Sequence, residues 1–326
     1  MPREYYIAWW NLENLFDVEN AADRPEYLRK QLAKELKGWN QQILDKKILQ
    51  LSKNIKKMNN EKGPDLLGVC EIENERVMKL LVNSIDLPGR NYQVAHHDTK
   101  DKRGIDVGFI YDGSLFKGEQ DFSYEVLKRL ATRDIYQVNF KTKDENNNIK
   151  NDLILVGNHW PSRSGGRYES EPYRIIAAET LAYWHSRIQE ILGKKTPIIF
   201  MGDFNDQPHD RSLTEYALST REKRRVLSAK TAPRMFNLMW PLMAQGSGTY
   251  YYRGEFNMLD QFSVSKGFFS ENEPFSVKND SIEIINVDPV TSEALNTPIR
   301  FGRPSSKLNQ KGYSDHFPIS MVILEE

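Results

Sequence analysis

The chain has 326 residues, with 45 Lys and Arg against 45 Asp and Glu, so its formal net charge is zero. That length can bury a large core, and the charge balance argues against a dedicated non-specific nucleic-acid binder while allowing a local basic rim. A single cysteine, Cys70, excludes an intramolecular disulfide and a cysteine zinc site, and no run is long and apolar enough for a membrane span.

Residues 5–11 are apolar and aromatic and predict a strand that starts almost at Met1. With no signal-peptide pattern ahead of it, the expected location is cytoplasmic, or secreted or periplasmic if a leader has been removed. Residues 17–40 are rich in charge and predict a rim segment. In residues 43–58, Leu44, Ile48, Leu51, Ile55 and Met58 recur at steps of four and three, with lysines on the opposite face, which predicts an amphipathic helix. After the Gly63-Pro64 break, residues 66–71 predict a buried strand and residues 75–84 a short helix. Strands are expected at 92–96, 105–111, 136–142 and 152–159. The polar stretch 143–151 joins the last two as a hairpin. Tyr173, Ile176, Ala177, Leu181, Trp184, Ile188 and Ile191 mark a second long helix. Strands at 197–201, 258–264 and 317–324 complete the pattern. No linker or internal repeat divides the chain, so one domain over 1–326 is expected. Hairpins mixed with strand–helix alternation favour an α/β fold with mixed sheets covered by helices.

Polar residues collect where these strands run out. The strand ends read Trp10-Asn11-Leu12-Glu13-Asn14, Cys70-Glu71-Ile72-Glu73-Asn74, Asn158-His159-Trp160-Pro161-Ser162-Arg163 and Gly202-Asp203-Phe204-Asn205, and Ser314-Asp315-His316 precedes the last strand. Asn11, Glu71 and Asp315 offer oxygen ligands, a set suited to Mg²⁺ or Mn²⁺, with Ca²⁺ also admitted. Such an ion polarises a phosphoryl oxygen. His159 and His316 can donate to a phosphate or move protons near neutral pH. Each group alone has a bland reading as a turn, a cap or a core histidine. Their recurrence at strand ends is what points to a shared cleft.

The ordered set WNLEN, GVCEIEN, NHWPSR, GDFND and YSDHFP, spanning residues 7–323, resembles the endonuclease/exonuclease/phosphatase superfamily, whose members include deoxyribonuclease-I-like nucleases and inositol-phosphate phosphatases. The resemblance implies a four-layer α/β/β/α sandwich. It implies that Asn11 and Glu71 hold the metal, with Asp315 completing or supporting that site. It implies that Asp203 orients or deprotonates the attacking water and that Asn205 helps to position it. By the same resemblance, Asp106 orients a catalytic histidine and Asp260 is the partner acid of a late strand motif, with Gln261 standing where Tyr or His is common.

Arg163 is the first candidate for gripping substrate phosphate and Arg174 the second. Lys100, Lys102 and Arg103 form a further basic stretch, and Tyr250, Tyr251 and Tyr252 read as packing residues before base-stacking ones. His185 reads as structural and His209 as a loop residue. The expected activity is a divalent-metal-dependent phosphodiesterase or nuclease, with nucleic acid as substrate and no protein partner inferred. The alternatives are an enzyme acting on an inositol phosphate, lipid head group or other small phosphoester, and a non-catalytic binding protein.

Overall fold

The computed structural model describes residues 2–270, 272–286 and 296–326. Its strands are, in chain order, β1 (Arg3–Leu15), β2 (Leu66–Ile72), β3 (Tyr92–His96), β4 (Asp106–Asp112), β5 (Phe116–Tyr124), β6 (Ile135–Lys143), β7 (Ile149–His159), β8 (Ile198–Asp203), β9 (Ser219–Thr220), β10 (Met235–Asn237), β11 (Tyr250–Tyr252), β12 (Glu255–Asn257), β13 (Asp260–Val264), β14 (Phe275–Val277), β15 (Glu283–Ile284) and β16 (Ile319–Glu325). One sheet runs β14-β16-β1-β2-β4-β3, with β15 also on β16. The other runs β5-β6-β7-β8-β13-β10-β9, and β11 and β12 form a separate hairpin. Both sheets are mixed: β1 is parallel to β2 and β7 to β8, and most other pairs are antiparallel.

Alternation along the strands builds the layers. Ile7 and Trp9 of β1, Val107 and Phe109 of β4, Leu153 and Leu155 of β7, and Ile199 and Met201 of β8 fill the core between the sheets. The intervening residues face the helices. Tyr6, Ala8 and Trp10 meet Leu44, Ile48, Leu51 and Ile55 of α2 (Gln41–Glu61) and Val77, Met78 and Leu81 of α3 (Glu75–Ile85). On the far side Ile154, Val156, Ile198 and Phe200 meet Ala177, Ala178, Leu181 and Ile188 of α4 (Arg167–Leu192). The result is the four-layer α/β/β/α sandwich. Strands covered on both faces read as unbroken apolar runs, which is why β1, β2 and β8 were legible.

α2 and α3 begin where caps supply an acceptor: Asn40 Oδ1 takes the Ile43 amide and Asn74 Oδ1 the Val77 amide. Residues 17–40 carry α1 (Glu26–Leu32). They pack Leu28, Leu32, Leu36 and Trp39 with Phe16, Ile105 and Phe301 in a cluster of their own. One expectation for α2 fails. Lys47 is fully buried rather than on the solvated lysine face; its Nζ donates to the Tyr313 carbonyl at 2.6 Å and lies 5.0 Å from the Phe301 ring centroid. Burial pushes its ammonium down to about 8 against the pull of Glu13, Asp315 and Glu71. Among the described residues no helix is long and apolar enough to cross a membrane.

Candidate active site

The parallel pairs bring the polar strand ends to one place. β1 and β2 keep register through Trp10↔Val69 and Asn11↔Cys70, then slip. At the slip Glu13, Asn14 and Glu71 adopt left-handed backbone, with φ of 49°, 58° and 62°. Non-glycine residues held there cost roughly 1–3 kcal/mol each, a strain the surrounding contacts must fix. Those contacts are present: Glu71 Oε2 accepts the Asn14 amide at 2.9 Å, and Asn11 Oδ1 accepts the Glu13 amide at 3.0 Å. In the second sheet the register sets His159 opposite Asp203. Asn205, with φ of 51°, donates its amide to Asp203 Oδ1 at 2.9 Å and its Nδ2 to the Trp160 carbonyl at 3.0 Å.

The two sheets are joined across the cleft. Asn11 Nδ2 donates to Asp203 Oδ2 at 3.1 Å. His159 Nε2 lies 3.6 Å from Glu71 Oε1 and 3.8 Å from Asp203 Oδ2, and His316 Nε2 lies 3.9 Å from that same Asp203 oxygen. Behind His316, Nδ1 meets Asp260 Oδ2 at 2.6 Å, and Trp9 Nε1 donates to the other Asp260 oxygen at 2.9 Å. Asn11, Glu71, His159, Asp203, Asn205, Asp260 and His316 are all buried.

Burial and charge set the protonation states. Burial would lower His316, but the carboxylates of Asp260 and Asp203 overcome it and hold the imidazole well above its usual value. His159 is driven the other way, by burial and by the cations Arg133, Arg103 and His316. The cleft therefore holds one charged and one neutral histidine near neutral pH. Burial raises Asp203 to about 6, partly opposed by His316. Burial would also raise Glu71, yet Arg103, His316, Arg133 and Arg303 bring its carboxyl below the ordinary value.

Three sequence expectations need correction. Arg174 is buried, with Nε 2.7 Å from Asp206 Oδ2 and hydrogen bonds to Ser170 Oγ and the Arg167 carbonyl, so its guanidinium is engaged inside the fold. Arg163 donates Nε to the Asn205 carbonyl at 2.6 Å and pairs Nη2 with Asp206 and Asp210, which makes it a brace for the loop after Asp203. Asp106 has His96 as its histidine: Oδ2 lies 3.4 Å from His96 Nε2, and Oδ1 accepts from Thr99. The reason is topological, since β4 pairs with β3, the strand that carries His96. His185 is buried on α4 with its imidazole pushed down to about 3 by burial, and His209 is exposed.

Further groups border the cleft. Arg103, seen only as part of a basic stretch, donates to Asn14 Oδ1 at 2.8 Å and reaches Glu71 Oε1 at 3.5 Å. Arg133 is buried and donates to the Trp160 carbonyl at 2.7 Å, beside His159 in sequence; nothing in its spacing marked it. Tyr250 packs its ring 4.8 Å from the His316 ring, so it borders the cleft. Glu13, two residues past Asn11, is fully buried, and its place inside WNLEN is the sequence signal for it.

The donor set fits a hard divalent cation. Glu71 Oε1 is a buried anionic oxygen with no hydrogen bond shorter than 3.5 Å among the described residues, and the Asn11 carbonyl oxygen keeps a lone pair beyond its one backbone contact. Asp315, raised to about 6 by burial and the Glu13 charge, is held by Arg300 Nη2 at 3.2 Å.

The model of the endonuclease/exonuclease/phosphatase family matches residues 6–325. No curated protein matches the chain. Solved structures share its fold at low identity. An endonuclease/exonuclease/phosphatase family protein of Bacteroides thetaiotaomicron is 15% identical with a TM-score of 0.57, covering 100% of this chain and 99% of the other. A mannosyl-6-phosphatase of the same species is 15% identical with a TM-score of 0.55, covering 98% and 99%. Humanized TDP2 of D. rerio is 12% identical with a TM-score of 0.57, covering 98% of each chain. The family match over nearly the whole sequence, together with the site at the joined strand ends, establishes that the chain belongs to the endonuclease/exonuclease/phosphatase family.

Proposed function

We propose that the protein is a divalent-metal-dependent phosphodiesterase that hydrolyses nucleic acid by attack of water on phosphorus. The observation that carries this reading is the meeting of Asp203 with both histidines, one charged and one neutral, beside the Asn11–Glu71 oxygen pair. Asn11 and Glu71, supported by Asp315, would hold the ion; when bound it polarises a phosphoryl oxygen and offsets charge. Asp203, oriented by Asn11 Nδ2 and the Asn205 amide, takes the proton of the attacking water. Cationic His316, fixed by Asp260, faces the charge that grows on the phosphoryl oxygens, and neutral His159 flanks the phosphate from the other sheet.

A second reading, a small phosphoester as substrate, is favoured by the zero net charge and by a cavity of molecular size, about 750 Å³, beside Asp315. The fold likeness to a mannosyl-6-phosphatase is in keeping with it. Turnover of oligonucleotides, inositol phosphates and a generic diester, with Mg²⁺ or Mn²⁺ and with chelator, tests both readings. Metal-dependent cleavage of at least one is expected, with Asp203→Asn and His316→Ala each losing about 10²–10⁴-fold in kcat. Absence of metal-dependent turnover, or wild-type rates in both variants, overturns the enzyme reading.

A further inference from the structure

The cavity of about 750 Å³ beside the cleft meets the hydrolytic set at Asp315, and the rest of its lining, Tyr250, Arg300, Phe301, Arg303 and Lys307 among it, lies outside that set. The part of its lining at residues 300–302 is firmly held. The buried Glu13 carboxylate accepts the Phe301 and Gly302 amides on Oε2, at 2.8 and 3.2 Å, and the Arg300 Nε on Oε1 at 2.9 Å. Gly302, with φ of 99°, makes the turn that brings these three donors to one carboxylate. Phe301 is buried against Trp39, their ring centroids 6.0 Å apart. The loop is thus tied at residues 300–302 to β1, two residues beyond Asn11.

The cations of this lining divide in two. Arg300 is spent on Glu13 and Asp315. Arg303 and Lys307 have no carboxylate within 4.0 Å among the described residues, and both are exposed. Arg303 is nonetheless close enough to help hold the Glu71 carboxyl low. On the same cavity, Tyr250 packs on His316 and stacks near-parallel with Tyr252, at 6.3 Å and 19°. Two cations with no carboxylate partner among the described residues therefore line the same cavity as an aromatic ring that packs on His316.

We propose that this cavity is a subsite for a second, non-scissile phosphate of the substrate, gripped by Arg303 and Lys307, while the group linking the two phosphates lies against Tyr250. The proposal rests on the phosphoesterase reading and narrows it to substrates with two phosphates. The second phosphate is either the neighbour along a nucleic-acid strand or a second ester on a small molecule; the chemistry of capture is the same.

Steady-state kinetics on matched pairs test this. The wild type is compared with R303Q/K307Q on a dinucleotide with and without a terminal phosphate, on an inositol bisphosphate and its monophosphate, and on bis(p-nitrophenyl) phosphate, which lacks a second anion. KM for a two-phosphate substrate is expected to rise roughly tenfold or more, the loss of a charge-assisted contact, well beyond the change that loss of the Arg303 charge near Glu71 brings on bis(p-nitrophenyl) phosphate. An effect confined to the dinucleotide pair assigns a strand phosphate, and one confined to the inositol pair assigns a small substrate. Equal changes on one- and two-phosphate substrates overturn the subsite. Calorimetric binding of inorganic pyrophosphate without metal ion separates this from failure of the enzyme reading. Binding that weakens in the variant upholds the subsite even where no ester is turned over; absent or unaltered binding overturns it.

Discussion

His159 and His316 occupy the same cleft, face the same Asp203 oxygen and carry opposite charge states at neutral pH. Asp260 makes the difference: His316 has a buried carboxylate behind it, whereas His159 Nδ1 has no hydrogen-bond partner among the described residues. A histidine whose folded pKa is raised contributes stability that is fully present below about 6.5, its unfolded value, and is lost as pH rises through the folded value. Asp260→Asn is therefore expected to destabilise by roughly 3–5 kcal/mol near pH 6, the cost of breaking a buried pair. The deficit should shrink as the pH climbs past the folded pKa of His316. Chemical denaturation across that range checks it, and a deficit independent of pH would show that Asp260 acts through packing alone. At this scale the sequence identified residue types well and partners poorly. Asp260 and Asp106 looked alike as partner acids, and only the strand neighbours gave one to His316 and the other to His96.

At the level of elements, the site depends on the alignment of β7 with β8. A Cβ on Gly202 would stand 2.4 Å from the Asn158 carbonyl oxygen, in the step of the ladder before His159↔Asp203. Gly202→Ala must push the strands apart, and is expected to cost about 1–3 kcal/mol or more and to lower kcat as His159 parts from Asp203. Gly165→Ala, where nothing lies within 4 Å, is the control and should stay within about 0.5 kcal/mol. Unfolding midpoints and initial rates on one phosphoester decide; equal behaviour of the two variants would refute the argument. The long covered strands are legible as unbroken apolar runs, and the amphipathic helices by apolar residues at steps of three and four. β5, with its largely exposed middle, and the short β9, β10, β14 and β15 are not, because they are too polar or too brief to set a pattern.

For the molecule as a whole, an ion that binds only the folded state adds stability by mass action. Mg²⁺ or Mn²⁺ at about a hundredfold over its Kd should stabilise by about 2.7 kcal/mol. Glu71→Gln should abolish most of that gain while folding in its absence. Thermal melts with and without the ion test this, and an undiminished shift in Glu71→Gln would place the ion elsewhere. The zero net charge keeps any attraction for anionic substrates local. Arg103, Arg133, Arg300 and Arg303 supply it around the cleft and its side cavity.

Sequence alone determined the family, the succession of strands and helices and the polar strand ends, because each is written in local pattern: apolar runs on strands, a step of three to four on helices, and short motifs such as Gly202-Asp203-Phe204-Asn205. Tertiary structure alone decided which cation meets which carboxylate. Arg163 and Arg174 lie near the cleft motifs in sequence yet are drawn to Asp206 and Asp210, while Arg300 and Arg303 stand beside it because a buried Glu13 binds their loop. Those partners are far apart along the chain, and a contact between distant residues follows from packing and burial, which no local spacing records.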